Sequence, residues 1–286
     1  MGRHADRVRG DAFPRAPTQE AWDAMGPEER AQVVESLPAE VTYREMSPPE
    51  GDLHQDAKHR VLDVLRHHFR HRRRKAYVGS ELPVYYPGER RFAPDLLVVF
   101  DVEPHPREKW LVSHEGKGLD WVMEVHSGGN RKKDAVVNVE RNARLGIREY
   151  FIYDAGRERL EGFRLKSAKD RTYVPLRSKQ GRFTSKVLGL EFEVRGDKMF
   201  VWAGETLLLE STEMIDQLKA RMEKARLRRQ AEAKRRKDTE RRLASEARRL
   251  RKIEQALEEA NQWRKDAEQQ LAKMKAELRK LRPRKH

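Results

Sequence analysis

The spacing of hydrophobic positions changes several times along this chain, and each change predicts a different element. Residues 53–70 put Leu53, Ala57, Val61, Val64, Leu65 and Phe69 on one stripe at helical spacing, so this segment is an amphipathic helix packed on another layer. Ahead of it, residues 27–37 read as a short helix with Pro27 in its first turn, Glu28 and Glu29 beside the positive end, and Pro38 as its stop. Residues 42–46 read as a strand. Apolar, β-branched and aromatic runs at 76–86, 92–101 and 119–126, the first two divided by Pro87-Gly88, predict three neighbouring strands. Helical spacing returns at 135–145 through Val136, Val139 and Ala143, with Gly146 placed to cap the end. Short runs at 149–153, 160–165, 172–176 and 187–194 predict further strands. Helices alternate with strands early and strands predominate later, which gives an α/β fold with a mixed (α+β) sheet flanked by helices.

The last quarter of the chain follows one rule. From Ile215, alternate steps of three and four residues land on Leu218, Met222, Ala225, then on polar positions from Arg229 to Thr239, and again on Leu243, Leu250, Ile253, Leu257, Leu271, Met274 and Leu278. This 3.5-residue repeat is a coiled-coil seam with a polar middle, and no proline interrupts it before Pro283. A long helix with Leu and Ile along one seam predicts self-association into a homo-oligomer.

Charge sharpens the division. The chain has 62 Lys and Arg against 47 Asp and Glu, a net +15, yet residues 211–286 alone hold 25 against 13. The organisation expected is therefore a disordered leader over 1–20, a globular domain over 21–210 and a basic coiled-coil tail over 211–286, the tail being able to hold nucleic acid electrostatically. The absence of cysteine excludes disulfides, thiolate metal sites and a cysteine nucleophile, and agrees with a cytoplasmic location. No run approaches ~20 apolar residues, so no membrane partner is expected.

Two acids stand out. Asp95 follows Pro94 at the head of LLVVF, and Glu124 lies inside the apolar run WVMEV, where a charge needs a positive or metallic partner. Strand alternation puts Glu124 and His126 on one face and Trp121, Met123 and Val125 on the other. An Asp and a Glu meeting across adjacent strands would form an oxygen site suited to Mg²⁺ or Mn²⁺; an ordinary turn Asp and an ion-paired strand Glu satisfy the same spacing.

The ordered series Pro94-Asp95, Glu124-Val125-His126-Ser127, Arg131 to Asp134 and Gly146-Ile147-Arg148-Glu149-Tyr150 resembles the Uma-type family of restriction endonucleases, within the PD-(D/E)xK nuclease superfamily, over roughly residues 35–165. The resemblance implies a restriction-endonuclease-like core and a Mg²⁺- or Mn²⁺-dependent hydrolase that cuts DNA phosphodiester bonds. It implies Asp95 and Glu124 as metal ligands, Glu81 as a further acidic ligand and the Val125 carbonyl as a third. Where the superfamily places Lys two residues after the Glu, this chain has His126, and where relatives place Lys in the next helix it has Asn138. Lys133 or Lys132 is then expected to supply the cation, with His126 positioning or deprotonating water. Gly128-Gly129 replaces the usual Pro after Ser127. His54 falls where such proteins carry a His in the first turn of the long helix, a position that a structural His also explains. Arg72, Arg73 and Arg74, in the cluster ending that helix, and Arg131 and Lys132, beside the acids, are the expected nucleic-acid contacts. The competing expectation is a catalytically impaired, nuclease-like DNA-binding or scaffold protein.

Overall fold

The structure, a computed structural model, describes residues 14–40, 51–70, 72, 74–126 and 132–281. In chain order its elements are α1 (Gln19–Ala24), α2 (Pro27–Ser36), α3 (Gly51–Arg70), β1 (Ala76–Gly79), β2 (Val84–Tyr85), β3 (Leu96–Phe100), β4 (Trp110–Leu111), α4 (Val112–Glu115), β5 (Trp121–His126), α5 (Lys132–Arg144), β6 (Glu149–Asp154), β7 (Arg159–Leu165), β8 (Tyr173–Pro175), β9 (Arg182–Ser185), β10 (Leu190–Arg195), β11 (Lys198–Ala203), β12 (Thr206–Leu208) and α6 (Ser211–Leu281). The chain divides into two compact units, residues 1–214 and 215–286.

The first unit is built on a six-stranded sheet of order β1-β3-β5-β6-β7-β8, in which β5 and β6 run parallel and the other neighbours antiparallel. The parallel pair is joined through α5, as a crossover requires. Alternation then sorts the core into two layers. Leu96, Val98, Phe100, Trp121, Met123 and Val125 meet α3 on one face, through Val61, Leu65 and Phe69. Leu97, Val99, Val122 and Ile152 meet Ala143 and Ile147 at the end of α5 on the other. Gly146 takes a left-handed φ of +78° just past α5, and its N–H bonds to the Ala143 carbonyl, so the helix ends where the cap signal put it.

A second sheet, of order β12-β11-β10-β9, closes over the α3 face with Leu190, Phe192, Met199 and Val201. Phe192 stacks on Trp121 with ring centroids 5.8 Å apart. Glu149, fully buried, pins this layer to the first: it accepts hydrogen bonds from Arg164 Nε (2.6 Å), Lys186 N (2.9 Å) and Ser185 Oγ. The acid of the Gly146–Tyr150 motif is thus a buried structural anchor with its oxygens satisfied.

Several expectations change. The sequence pattern predicts a strand at 187–194 but none at 182–185, 198–203 or 206–208. The run at 76–86 is broken, because Glu81 takes a left-handed φ of +53° between β1 and β2 and so does not lie in a strand. Within the residues read as a leader, 14–20 already join the body: Ala16 is buried with Trp22 of α1, and Arg15 and Ala16 bridge to Arg90 and Pro87. Leu53, placed on the α3 stripe, is exposed. The strand read at 42–46 lies outside the described residues. None of the helices described is long and apolar enough to cross a membrane.

The second unit is the remainder of α6. Of its large apolar side chains, all exposed in the single chain, Ile215, Leu218, Met222, Leu243, Leu250, Ile253, Leu257, Leu271, Met274 and Leu278 fall on the seam, and Leu227 and Trp263 lie off it.

Candidate metal centre

Asp95 stands one step beyond the Leu96–Met123 pairing of β3 with β5, which puts it directly opposite Glu124. Each acid grips the other strand. Val125 N–H donates to Asp95 Oδ2 at 2.8 Å, and Asp95 N–H donates to Glu124 Oε2 at 3.4 Å. The two carboxyl groups face each other across the strand pair. Burial, and then the neighbouring Asp95 charge, push Glu124 well above the ordinary carboxylate range. Burial would raise Asp95 too, but hydrogen bonds from His54 and from Val125 N–H outweigh it and hold this carboxyl low. The pair therefore divides its roles: Asp95 carries the charge and Glu124 the proton.

Helix α3 brings two more groups. His54 and Lys58, four residues apart on its buried face, point to the end of the sheet. His54 Nε2 lies 3.5 Å from Asp95 Oδ1. Lys58, 1% exposed, meets Glu81, whose left-handed backbone swings its carboxylate back toward the helix. Glu81 N–H donates to the Pro94 carbonyl, and Ser80 Oγ donates to the Asp95 carbonyl at 2.8 Å, so β1 and the head of β3 are laced together around the acids. One donor atom each from His54, Glu81 and Asp95 lies within 4.8 Å of the others.

From the opposite side, α5 contributes Arg141. Its guanidinium packs 4.2 Å over the Phe92 ring, with Glu124 as the foremost negative charge in its surroundings, and burial depresses its pKa. Asn138, one turn earlier, sits beside the Tyr150 hydroxyl. The α5 face turned to the acids thus holds an Arg three residues past the Asn. Lys58 and Arg141 are cations near the acids that the sequence reading did not single out.

The remaining sequence-derived residues divide. His126 is half-buried at the end of β5, on the Glu124 face and opposite Asp154. Arg72 is exposed. Arg74 is tied up: it forms a two-pronged ion pair with Asp101, 2.8 and 2.6 Å, and lies 4.2 Å over Phe100. Lys132 and Lys133 open α5, so their backbone is helical and not part of a loop. Arg73 and Arg131, and the side chains of Lys132 and Lys133, lie outside the described residues.

The donors fit a divalent ion. Two part-buried acids, one of them biased toward its protonated form, make a site in which a cation would displace a proton, and their oxygens, with Glu81, suit Mg²⁺ or Mn²⁺, the His54 imidazole being the one softer donor.

Comparison with known proteins adds the following. The family described as "Uma2: Putative restriction endonuclease" matches residues 36–196. No curated protein matches the chain. Among solved structures, the chain is similar to a "putative nuclease belonging to DUF820 from Anabaena variabilis ATCC 29413", at 14% identity and a TM-score of 0.40, over 50% of this chain and 77% of that one.

Proposed function

The chain belongs to the Uma2 family, and from that premise we propose that it is a metal-dependent endonuclease that hydrolyses phosphodiester bonds in DNA. The observation that carries this reading is the meeting of Asp95 and Glu124 across β3 and β5, with His54 and Glu81 turned to the same point. Asp95, Glu124 and Glu81 hold Mg²⁺ or Mn²⁺, with His54 as a nitrogen donor. The ion, when bound, polarises the phosphoryl oxygen and acidifies a water for attack on phosphorus. Lys58, paired with Glu81, supplies positive charge where the phosphate becomes more negative. Arg141 balances the Glu124 carboxylate once its proton has left. His126, at the end of the same strand, and Lys133, from the start of α5, complete the polar rim, where His126 takes a proton from water. Arg72, Arg73, Arg131 and Lys132 contact backbone phosphates, whereas Arg74, already paired with Asp101, contributes structure. The exposed seam of α6 pairs with a second copy of the chain, which presents two sites to the two strands of a duplex.

Plasmid nicking in Mg²⁺ or Mn²⁺ tests this. The intact protein is expected to convert supercoiled to open-circular DNA, and Asp95→Ala and Glu124→Ala to lower the rate by roughly a hundredfold or more. Nicking that persists in both variants would assign the activity elsewhere. A second reading, a nuclease-like DNA-binding scaffold, is favoured by Asn138 standing where a Lys is expected. It predicts no nicking in any metal with DNA binding intact.

A further inference from the structure

The C-terminal half of α3 and the edge strand β1 enclose a cleft of about 610 Å³ that neither the metal ligands nor the seam accounts for. Its walls carry Arg66, Arg70, Arg72, Lys75 and Arg107, and among the described residues no carboxylate lines it. Two of these cations are committed, Lys75 to Glu103 and Arg107 to Glu115. Arg66 Nε is anchored on the Val78 carbonyl at 3.2 Å with the rest of its exposed side chain over the cleft. Arg70 and Arg72 are exposed and have no ion pair among the described residues. Phe69, Tyr77 and Leu82 form an apolar floor, and His105 between Pro104 and Pro106 forms a rim.

The cleft opens toward the metal centre. Ser80 and Leu82 in its wall flank Glu81, and Ser80 Oγ holds the Asp95 carbonyl. Along α3, eight residues separate Lys58 from Arg66, about 12 Å at the helical rise, which is a few nucleotides of extended strand. Positive walls, with the Arg107 guanidinium lying over the Tyr77 ring, are the chemistry that tracks a phosphate backbone. The volume falls within the range of small-ligand pockets and far below what a double helix occupies.

We infer that this cleft receives a single-stranded segment of the nucleic acid, an unpaired end or flap, and leads it to the metal centre. The inference rests on the nuclease reading for the identity of the polyanion, and its test is separate from cleavage. Fluorescence anisotropy of the full-length protein in EDTA, with a labelled single-stranded oligonucleotide and the same sequence as a blunt duplex, reads binding alone. The single strand is expected to bind more tightly. Arg70→Glu with Arg72→Glu should weaken it about tenfold or more and lower the slope of log affinity against log salt by about 1.4, two phosphate contacts of a single strand. Lys166→Glu with Lys169→Glu, exposed on the body and away from the cleft, changes net charge equally and should leave the preference for single strand intact. Arg70→Gln with Arg72→Gln, read beside a melting curve, separates loss of contact from loss of fold. Equal weakening by the cleft and Lys166/Lys169 variants, or equal affinity for single strand and duplex, overturns the inference. Binding as expected without nicking in Mg²⁺ or Mn²⁺ would retire the nuclease reading and leave the cleft standing. Asp95-dependent nicking with binding indifferent to Arg70 and Arg72 would do the reverse.

Discussion

Glu124 is where protonation and stability are coupled most tightly. Its pKa in the folded chain lies well above its ordinary value, so the stability it contributes is complete below about pH 4.5 and drains away as pH rises toward the folded value. Asp95 has the opposite sign: held low by His54 and Val125 N–H, it contributes above its ordinary range and loses that contribution as pH falls through its folded value. In metal-free protein, Glu124→Gln should therefore melt with the parent near pH 4 and above it at pH 8, in scanning calorimetry. A Gln variant that is the less stable of the two at pH 8 would contradict a protonated Glu124. Mg²⁺ or Mn²⁺ binding should in turn release a proton, seen as a titration heat that varies with the ionisation enthalpy of the buffer. The two acids were legible because a strand made of Val, Leu, Met and Trp does not bury a carboxylate without cause. Lys58 was not, since a lysine on a helix reads as solvated by default. The signal was its place between Ala57 and Val61 on the buried stripe, one turn after His54.

Among the elements, β7 and α6 carry the clearest consequences. A Cβ built on Gly162 in β7 would come within 2.8 Å of the Phe151 ring and 3.0 Å of Leu176, so Gly162→Ala should cost about 1–3 kcal/mol in denaturant unfolding, with the larger value if the ring cannot turn. On α6, Leu250→Asp with Leu257→Asp should abolish self-association in analytical ultracentrifugation, whereas Leu227→Asp, off the seam, should not. Long elements of a single period, α3 and α6, were readable from the sequence to within a few residues. The second sheet was mostly not: β9 shows a single apolar residue, Phe183, β10 alternates its three with Glu191 and Glu193, and β11 is one short run after Lys198, too little pattern to mark two of the three as strands. The left-handed turn at Glu81 likewise left no mark, because it needs no glycine.

For the molecule as a whole, the excess of positive charge in residues 211–286 sets a solution property. DNA affinity should fall steeply with salt, and the slope should shrink when the chain is cut after Met214, a point that keeps Asp63 bonded to Ser211 N at 2.6 Å and Oγ at 2.8 Å. The shortened protein is expected to melt within a few degrees of the full chain, since the core layers lie in residues 1–214. A collapse in melting temperature would show that the long helix supports the body. The mixed sheet with its flanking helices agrees with the resemblance seen in the sequence. The way the second sheet closes over α3 depends on contacts such as Phe192 with Trp121, which are far apart in the chain and invisible to any local pattern.

The upward shift of Glu124 beside Asp95 has one more implication, for storage and handling. A pair of acids of which one takes up a proton readily leaves a less anionic hole in the absence of an ion, so prolonged dialysis against a chelator should silence the proposed nuclease without denaturing it. Readdition of magnesium should then revive the dormant sample with no refolding step, the reverse of a small zinc domain that comes apart when stripped.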